Sequence, residues 1–408
     1  MLNLRERFVL SFPEKRHFQQ TILLWFRKHK RGFPWREGRG FISQTIRDPY
    51  RILVSEVMLQ QTQVERVIPY YRRWMRRWPT VRRLARAKLS DLIRAWGGLG
   101  YNRRGVYLHK AAKRIVSEFD GEFPRSEEEL LRLPGVGRYT ARAILAFAYG
   151  EDVGVLDINT KRVLLRVFLG VNNIKEANTL LSQKESAHSL RTQRMGEERV
   201  PHERSARILP RSSLSSNSFA VKARQTVDDF PEEFARFILA SCVQRGKNST
   251  ALAPKGNMTD HFSENDLLLF ADAVVPRGKG DEWNQAMMDF GAMVCTAKKP
   301  KCEECPLRKM CVWYYSQAQS SKLKAQNYSV KLKALGRRKE KFEETDRYFR
   351  GRIVDLLRRG AFTEEKLHRT MVSKYHLTDR GRLAKLLDCL VSDGLVIVHR
   401  ATVSLPNI

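Results

Sequence analysis

The sequence predicts a mostly all-α protein, and three observations carry that expectation. Apolar residues recur at helical spacing along most of the chain, and a glycine hairpin at 133–137 feeds directly into one of these helices. Four cysteines then fall within one short loop at 295–311. With 408 residues, 42% of them hydrophobic, the chain can bury a substantial core, divided among two or three domains.

Charge narrows the function. Lys and Arg number 75 against 44 Asp and Glu, a net charge of +31, which calls for a polyanionic partner and says nothing about fold. Apolar runs such as 52–59 and 141–149 fall short of the roughly 20 residues a membrane span requires. The opening MLNLRERFVLSFPEKRHF mixes Arg with Glu and has no signal-peptide apolar region, so an intracellular protein without a secretion signal is expected.

In chain order, residues 17–31 read as an amphipathic helix with Ile22, Leu23, Trp25 and Phe26 on its buried side. Phe33-Pro34-Trp35-Arg36 follows, where Arg36 is either a solvated charge or a stacking element. The run Ile52–Leu59 is apolar nearly all round and encloses Glu56. A lone buried carboxyl has a raised pKa, which suits a general acid; an exposed Glu at the helix edge is the bland alternative. Gln60, Gln61, Thr62 and Gln63 form a polar run suited to base edges or to a gap in a duplex.

Residues 71–96 alternate Arg pairs with Trp and Leu, a pattern that tracks a phosphate backbone or makes a solvated basic face equally well. The turn Gly97-Gly98-Leu99-Gly100-Tyr101 presents a tyrosine that either stacks on bases or caps a core. Helices expected over 106–119 and 127–133 lead into the hairpin. There Gly135 and Gly137 bracket Val136, ahead of a helix over 138–149 with Ala141, Ile144, Leu145 and Ala148 on one side. Free amides at such a helix N-terminus favour a phosphate, although an ordinary loop entering a buried helix has the same letters. Asp157 precedes another helical run and is first of all an N-cap.

Cys295, Cys302, Cys305 and Cys311 have the spacing C-x6-C-x2-C-x5-C. Four thiolates so close together in an intracellular chain point to a metal rather than to disulfides, and spacing alone leaves zinc as the generic choice. Cys242 and Cys389 stand apart.

Taken jointly, these residues resemble the helix-hairpin-helix (HhH-GPD, endonuclease III-like) DNA glycosylases and, within them, the MutY-type adenine glycosylases. The resemblance covers 18–170 and 264–316. It rests on FPWR at 33–36, SEVMLQQTQV at 55–64, GLGY at 98–101, LPGVGRYTA at 133–141, VLDxNxKRV at 155–163, WNQAMMDFGA at 283–292 and the cysteine loop. It implies two helical subdomains with the substrate pocket in the cleft between them, and a 4Fe-4S cluster on the four cysteines. It also implies a hairpin whose Gly135 and Gly137 hold DNA phosphate, together with a monovalent cation. The implied activity is base excision repair: removal of adenine mispaired with 8-oxoguanine or guanine in double-stranded DNA, by a monomer.

Residue by residue, the resemblance makes Glu56 the acid that protonates the flipped adenine and Asp157 the carboxylate that stabilises the sugar cation. Asn159 supports the site, Gln285 contacts the base, Gln61 and Tyr101 enter the duplex, and Arg36 is counted on the DNA side. The chemistry is coherent on its own terms, because cleaving a glycosidic bond calls for one protonated and one ionised carboxyl. A base must also leave the stack before it can react. Bifunctional relatives carry a Lys in the hairpin as a Schiff-base nucleophile; Tyr139 stands there instead, so a monofunctional enzyme is predicted. Thymine mismatch glycosylases share that Tyr, and thymine excision from G:T pairs or an inactive iron-sulfur DNA-binding protein are the competing readings. LQQTQ and WNQAMMDFG favour adenine.

The expected organisation is glycosylase over 1–170, a disordered Ser- and Arg-rich insertion over 171–263 with one helix at Phe230–Val243, glycosylase again over 264–315, and a basic linker over 316–341. Deleting 172–262 is expected to preserve activity. Residues 342–408 show three helical stretches (347–358, 363–375 and 379–393) and a hairpin pattern over 395–405, a small winged-helix-like domain in place of the larger Nudix-like domain common in such proteins. A cytoplasmic, nucleoid-associated location is expected in a prokaryote.

Overall fold

The computed structural model describes residues 13–37, 47–179, 262–317 and 341–406. Its first long helix, α1 (Pro13–His29), buries Phe18, Ile22 and Phe26. Helix α2 (Pro49–Leu59) starts cleanly because Pro49 occupies its first turn and the Asp48 carboxylate accepts the Tyr50 N–H at 2.9 Å. Ile52, Leu53, Val54, Val57 and Met58 all face protein, as an all-round apolar helix requires. There follow α3 (Val64–Arg77), α4 (Val81–Ala85), α5 (Leu89–Ala95), α6 (Arg103–Glu118), α7 (Glu127–Leu131) and α8 (Arg138–Tyr149). Next come α9 (Ile158–Leu164), extended by a π turn over Leu165–Leu169, then α10 (Glu264–Ala273) and α11 (Gly280–Met293).

These helices enclose two separate cores. One is built by α2 to α8 around residues such as Trp74, Trp96 and Ile144; the other by α1, α9, α10, α11 and the cysteine loop around Phe18, Trp283 and Phe290. The N-terminal helix therefore belongs to the lobe completed by the distant second half of the chain. The segment 150–157 crosses from the first lobe to the second. Arg142 braces the crossing, giving hydrogen bonds to the Gly154 carbonyl at 2.8 Å and to Asp272.

The insertion begins later than its composition predicts. Val171, Ala177 and Phe262 are buried in the second core. Asn178 and Phe262 exchange two hydrogen bonds, of 3.1 and 2.7 Å, so the chain leaves and re-enters this lobe at adjoining points. The polar flanks look unstructured in sequence because their few apolar residues are spaced by contacts across the gap, not by a local period. A deletion that keeps Val171, Ala177 and Phe262 runs over 180–261, not 172–262. The expected helix at Phe230–Val243 and most of the basic linker lie outside the described residues.

The C-terminal region folds as α12 (Asp346–Leu357), β1 (Phe362–Thr363), α13 (Glu364–Tyr375), α14 (Arg380–Ser392), β2 (Ile397–His399) and β3 (Thr402–Ser404). The strands pair antiparallel in the order β1-β3-β2, with Val403 opposite both Phe362 and Val398. Strand β1 is two residues long, too short to announce itself by alternation. The domain core includes Ile93 of α5 and Val106 of α6, so it is docked on the first lobe through shared apolar contacts. Among the described residues, no helix is long and apolar enough to cross a membrane.

Candidate active site and cysteine loop

Glu56 sits in the last two turns of α2, where the apolar helix leaves it 6% exposed. Its one strong partner is the Tyr139 hydroxyl, which donates to Oε2 at 2.7 Å from the first turn of α8. Burial pushes the carboxyl up to about 7; the Tyr139 hydrogen bond and the more distant Arg36 pull it down, while the charge of Asp157 pushes it up. Glu56 is thus a buried carboxyl that keeps its proton to far higher pH than an exposed one and titrates near neutrality. Burial, reinforced by the neighbouring carboxylates, raises the Tyr139 phenol well above its ordinary value, so it remains a donor.

Asp157 comes from the other lobe, at the point where the crossing segment becomes α9. Its Oδ1 accepts the backbone N–H groups of Asn159 (3.0 Å) and Thr160 (2.6 Å), and its Oδ2 accepts the Asn159 side-chain amide at 2.7 Å. The N-cap function is real, and it also fixes the direction in which the carboxylate points. Beyond it, Arg162 donates to the Asn159 side chain at 2.7 Å, to the Gly291 carbonyl at 2.6 Å and to the Cys295 carbonyl at 2.7 Å. A continuous chain of hydrogen bonds therefore joins Asp157 to the cysteine loop. Gly291 permits it: a Cβ there would lie 2.6 Å from the Asn159 Cβ, so a side chain would push α11 off the start of α9.

Asn284 locks the crossing segment on α11, accepting the Val155 N–H at 2.7 Å and donating to the Val153 carbonyl at 2.8 Å. Sequence reasoning singled out its neighbour Gln285. That residue is 5% exposed and gives its amide to Asp281, which is itself held by Arg47 at 2.8 Å. The signal for Asn284 is present in WNQAMMDFG, as a polar residue adjacent to Gln285 between Trp283 and the apolar Ala286-Met287-Met288.

Arg36, expected on the DNA side, is drawn inward. The carboxylate of Asp289 is fully buried and takes hydrogen bonds from Arg36 at 2.8 and 3.1 Å and from Arg31 at 2.8 and 2.6 Å. Burial alone would raise this acid, but the hydrogen bonds and charge of Arg36, with those of Arg31, hold it below the usual carboxylate range. A buried carboxylate captures the nearest guanidinium, and sequence shows neither the burial nor the proximity.

Gly135 has φ +77°, and a Cβ there would meet that of Tyr107 at 2.6 Å, so this turn accepts only glycine. Gly137 has ordinary backbone angles, caps α8 without a side chain and leaves open space in front of it. Gln61 and Tyr101 both stand exposed, and both have positive φ, +53° and +49°. Neither residue type favours that region, and the strain marks two turns held from outside.

Among the described residues, none of the four cysteines of the loop is in a disulfide, and Cys311 is buried. Burial, followed by the charges of their neighbours, pushes Cys305 up to about 12 and Cys311 up to about 11. Crowded thiols of this kind ionise only with a cation among them, and the donor set fits iron. Arg166 faces Cys295 Sγ at 3.7 Å and stacks 4.5 Å over Trp313, so positive charge already borders the loop. Among the described residues, no three of these side chains close around a single ion.

Comparison with known proteins agrees with this anatomy. Residues 54–185 match the profile of the HhH-GPD superfamily base excision DNA repair proteins, and residues 295–311 that of the iron-sulfur binding domain of endonuclease III. The chain is 30% identical over 375 residues to an adenine DNA glycosylase of Mycolicibacterium smegmatis, covering 92% of this chain and 91% of that one. It is 33% identical over 295 residues to the human adenine DNA glycosylase, covering 72% of this chain and 39% of the larger human protein. A thermostable thymine-DNA glycosylase of known structure aligns over 74% of this chain and 97% of its own, with 22% identity and a TM-score of 0.48.

Proposed function

Since the chain belongs to the adenine DNA glycosylases of the HhH-GPD base excision repair superfamily, we propose that its substrate is adenine paired with 8-oxoguanine or guanine in duplex DNA. It hydrolyses the N-glycosidic bond and leaves an abasic site. The observation that carries the reading is a pair of carboxylates close enough to feel each other's charge: Glu56, raised by burial and by Asp157 to about 7, and Asp157, fixed by three N–H groups.

In this reading Glu56 delivers its proton to a ring nitrogen of the flipped adenine, and the C1′–N bond breaks with its electrons passing to the base. Asp157 faces the cationic sugar that remains. Water then adds to C1′ and gives up a proton to the Glu56 carboxylate, which restores the acid. Tyr139 supplies no amine for a Schiff base, so the strand stays intact. Gln61 and Tyr101 fill the space vacated by the adenine, and the hairpin at Gly135 and Gly137 holds the phosphate backbone. Cys295, Cys302, Cys305 and Cys311 would hold the 4Fe-4S cluster, which when bound would supply the cation that ionises the thiols and tie the loop together beside Arg162 and Arg166.

The test uses purified protein with duplexes containing one 8-oxoguanine:A, G:A or G:T pair, analysed with and without alkali. Alkali-dependent cleavage of the adenine strand is the expected result. Cleavage without alkali would contradict the monofunctional assignment, and cleavage of the thymine strand would contradict the choice of base.

A further inference from the structure

The turn that carries Tyr101 is gripped from two sides, and one of the two hands belongs to the C-terminal domain. From beneath, Arg104 donates to the carbonyls of Val57 (2.9 Å) and Met58 (3.0 Å), to Thr62 Oγ1 (3.0 Å) and to the Gly100 carbonyl (3.2 Å). One guanidinium thus ties the Tyr101 turn to the Gln61 turn. From outside, three consecutive residues of the loop each meet a residue of the C-terminal domain. The Arg347 guanidinium lies 3.9 Å from the Tyr101 ring centroid. Arg358 donates to the Asn102 side chain at 2.8 Å and to the Ile93 carbonyl at 3.1 Å, and Asp393 pairs with Arg103 at 3.3 Å.

We propose that the C-terminal domain positions the duplex-entering loop, with Arg347 as the residue that sets the Tyr101 ring. Tyr101 is 37% exposed and holds a left-handed backbone conformation that a bulky residue keeps only when its surroundings impose it. Arg347 is itself exposed; of its two ring contacts the Tyr101 one, at 3.9 Å, is much closer than the Phe342 one at 5.9 Å, and it is also closer to the Tyr101 ring than Arg104, at 5.3 Å. A planar guanidinium laid on a ring face restricts the ring's rotation and leaves its rim toward solvent. A wedge held in one orientation before it meets DNA loses less freedom on insertion. The apolar contact at Ile93 and Val106 and the close fit of Gly97 against Arg358, where a Cβ would lie 3.2 Å from Nε, anchor the domain firmly enough to transmit that restraint.

The inference rests on the reading that Tyr101 enters the duplex, and the experiment separates the two. In the full chain, single-turnover adenine excision from an 8-oxoguanine:A duplex is measured for wild type, Tyr101→Ala, Arg347→Ala, Arg347→Lys and the double alanine variant. Fluorescence of a 2-aminopurine beside the mispair reports unstacking before chemistry. Arg347→Ala is expected to slow excision by about three- to thirtyfold, the span of a stacked cation, and to blunt the fluorescence rise without changing the melting temperature. Arg347→Lys recovers part of the loss, and in the Tyr101→Ala background Arg347→Ala slows nothing further. Equal slowing in both backgrounds would mean that Arg347 contacts DNA directly and would overturn the proposal, as would a wild-type rate for Arg347→Ala alone. A wild-type rate for Tyr101→Ala would remove the wedge role and the positioning role together.

Discussion

Glu56 and Asp157 carry the same functional group and are placed to do opposite work. Glu56 lies on a helix with apolar residues on every side, one hydroxyl for company and a carboxyl pushed up to about 7. Asp157 lies at a helix start, where three N–H groups within 3.0 Å meet its oxygens. The first environment raises the affinity of Glu56 for its proton, and the second fixes where the Asp157 oxygens point. The difference comes from where each residue sits: Glu56 on the side of a buried helix, Asp157 at the N-terminus of another. In the proposed reaction, these two settings are what would separate the acid from the stabiliser.

The strongest way to break this comparison is to neutralise each partner separately. Glu56→Gln should lower the single-turnover rate by about a hundred- to ten-thousandfold, the span of a positioned general acid. Asp157→Asn keeps a capping oxygen but loses the charge, and should cost about a hundred- to a thousandfold. DNA binding survives both changes and is read by gel shift. A Glu56→Gln enzyme with near-wild-type turnover would remove the acid.

The asymmetry should also appear in stability. Because the folded-state pKa of Glu56 is raised from 4.5 to about 7, the native state is favoured below pH 4.5, and that advantage is lost as pH rises through 7. Glu56→Gln has no such loss. Relative to wild type it should gain up to about 3 kcal/mol between pH 4.5 and 7 and stay level above that, as followed by urea denaturation. A pH-independent difference would mean that Glu56 titrates normally.

How much of this was legible in the sequence follows the same division. The burial of Glu56 was legible as one of two alternatives, because it stands in a run apolar nearly all round, and the Asp157 cap because an Asp precedes its helix. The hairpin, the cysteine loop and the three C-terminal helices were equally local signals. What stayed hidden depended on contacts between distant residues. Arg36 reads as a solvated charge or a stacking element; it does stack on Phe33, but its pairing with the buried Asp289, in a helix some 250 residues away, has no local signal. Arg104 is three residues from Tyr101, yet its role depends on carbonyls of α2 that no periodicity places there. The tie between Asn178 and Phe262 bridges the very segment whose composition argued against order.

The finest test concerns the single contact that tempers Glu56. The Tyr139 hydroxyl donates to the carboxyl at 2.7 Å and is the largest influence opposing burial. It favours the charged form, so it costs Glu56 some of its proton affinity. Tyr139→Phe removes the donor and leaves the ring, and the Glu56 carboxyl should then titrate above about 7. Excision falls with rising pH as Glu56 loses its proton, so the alkaline limb of the rate profile should move to higher pH in the variant. At neutral pH two effects oppose each other: more of the enzyme is protonated, but the proton is harder to surrender and the carboxyl is less well aimed. The net change there should stay below about tenfold, the order of one hydrogen bond to a charged group. An alkaline limb that moves to lower pH would mean the hydroxyl supports the protonated acid, and the contrast with Asp157 would then rest on burial alone.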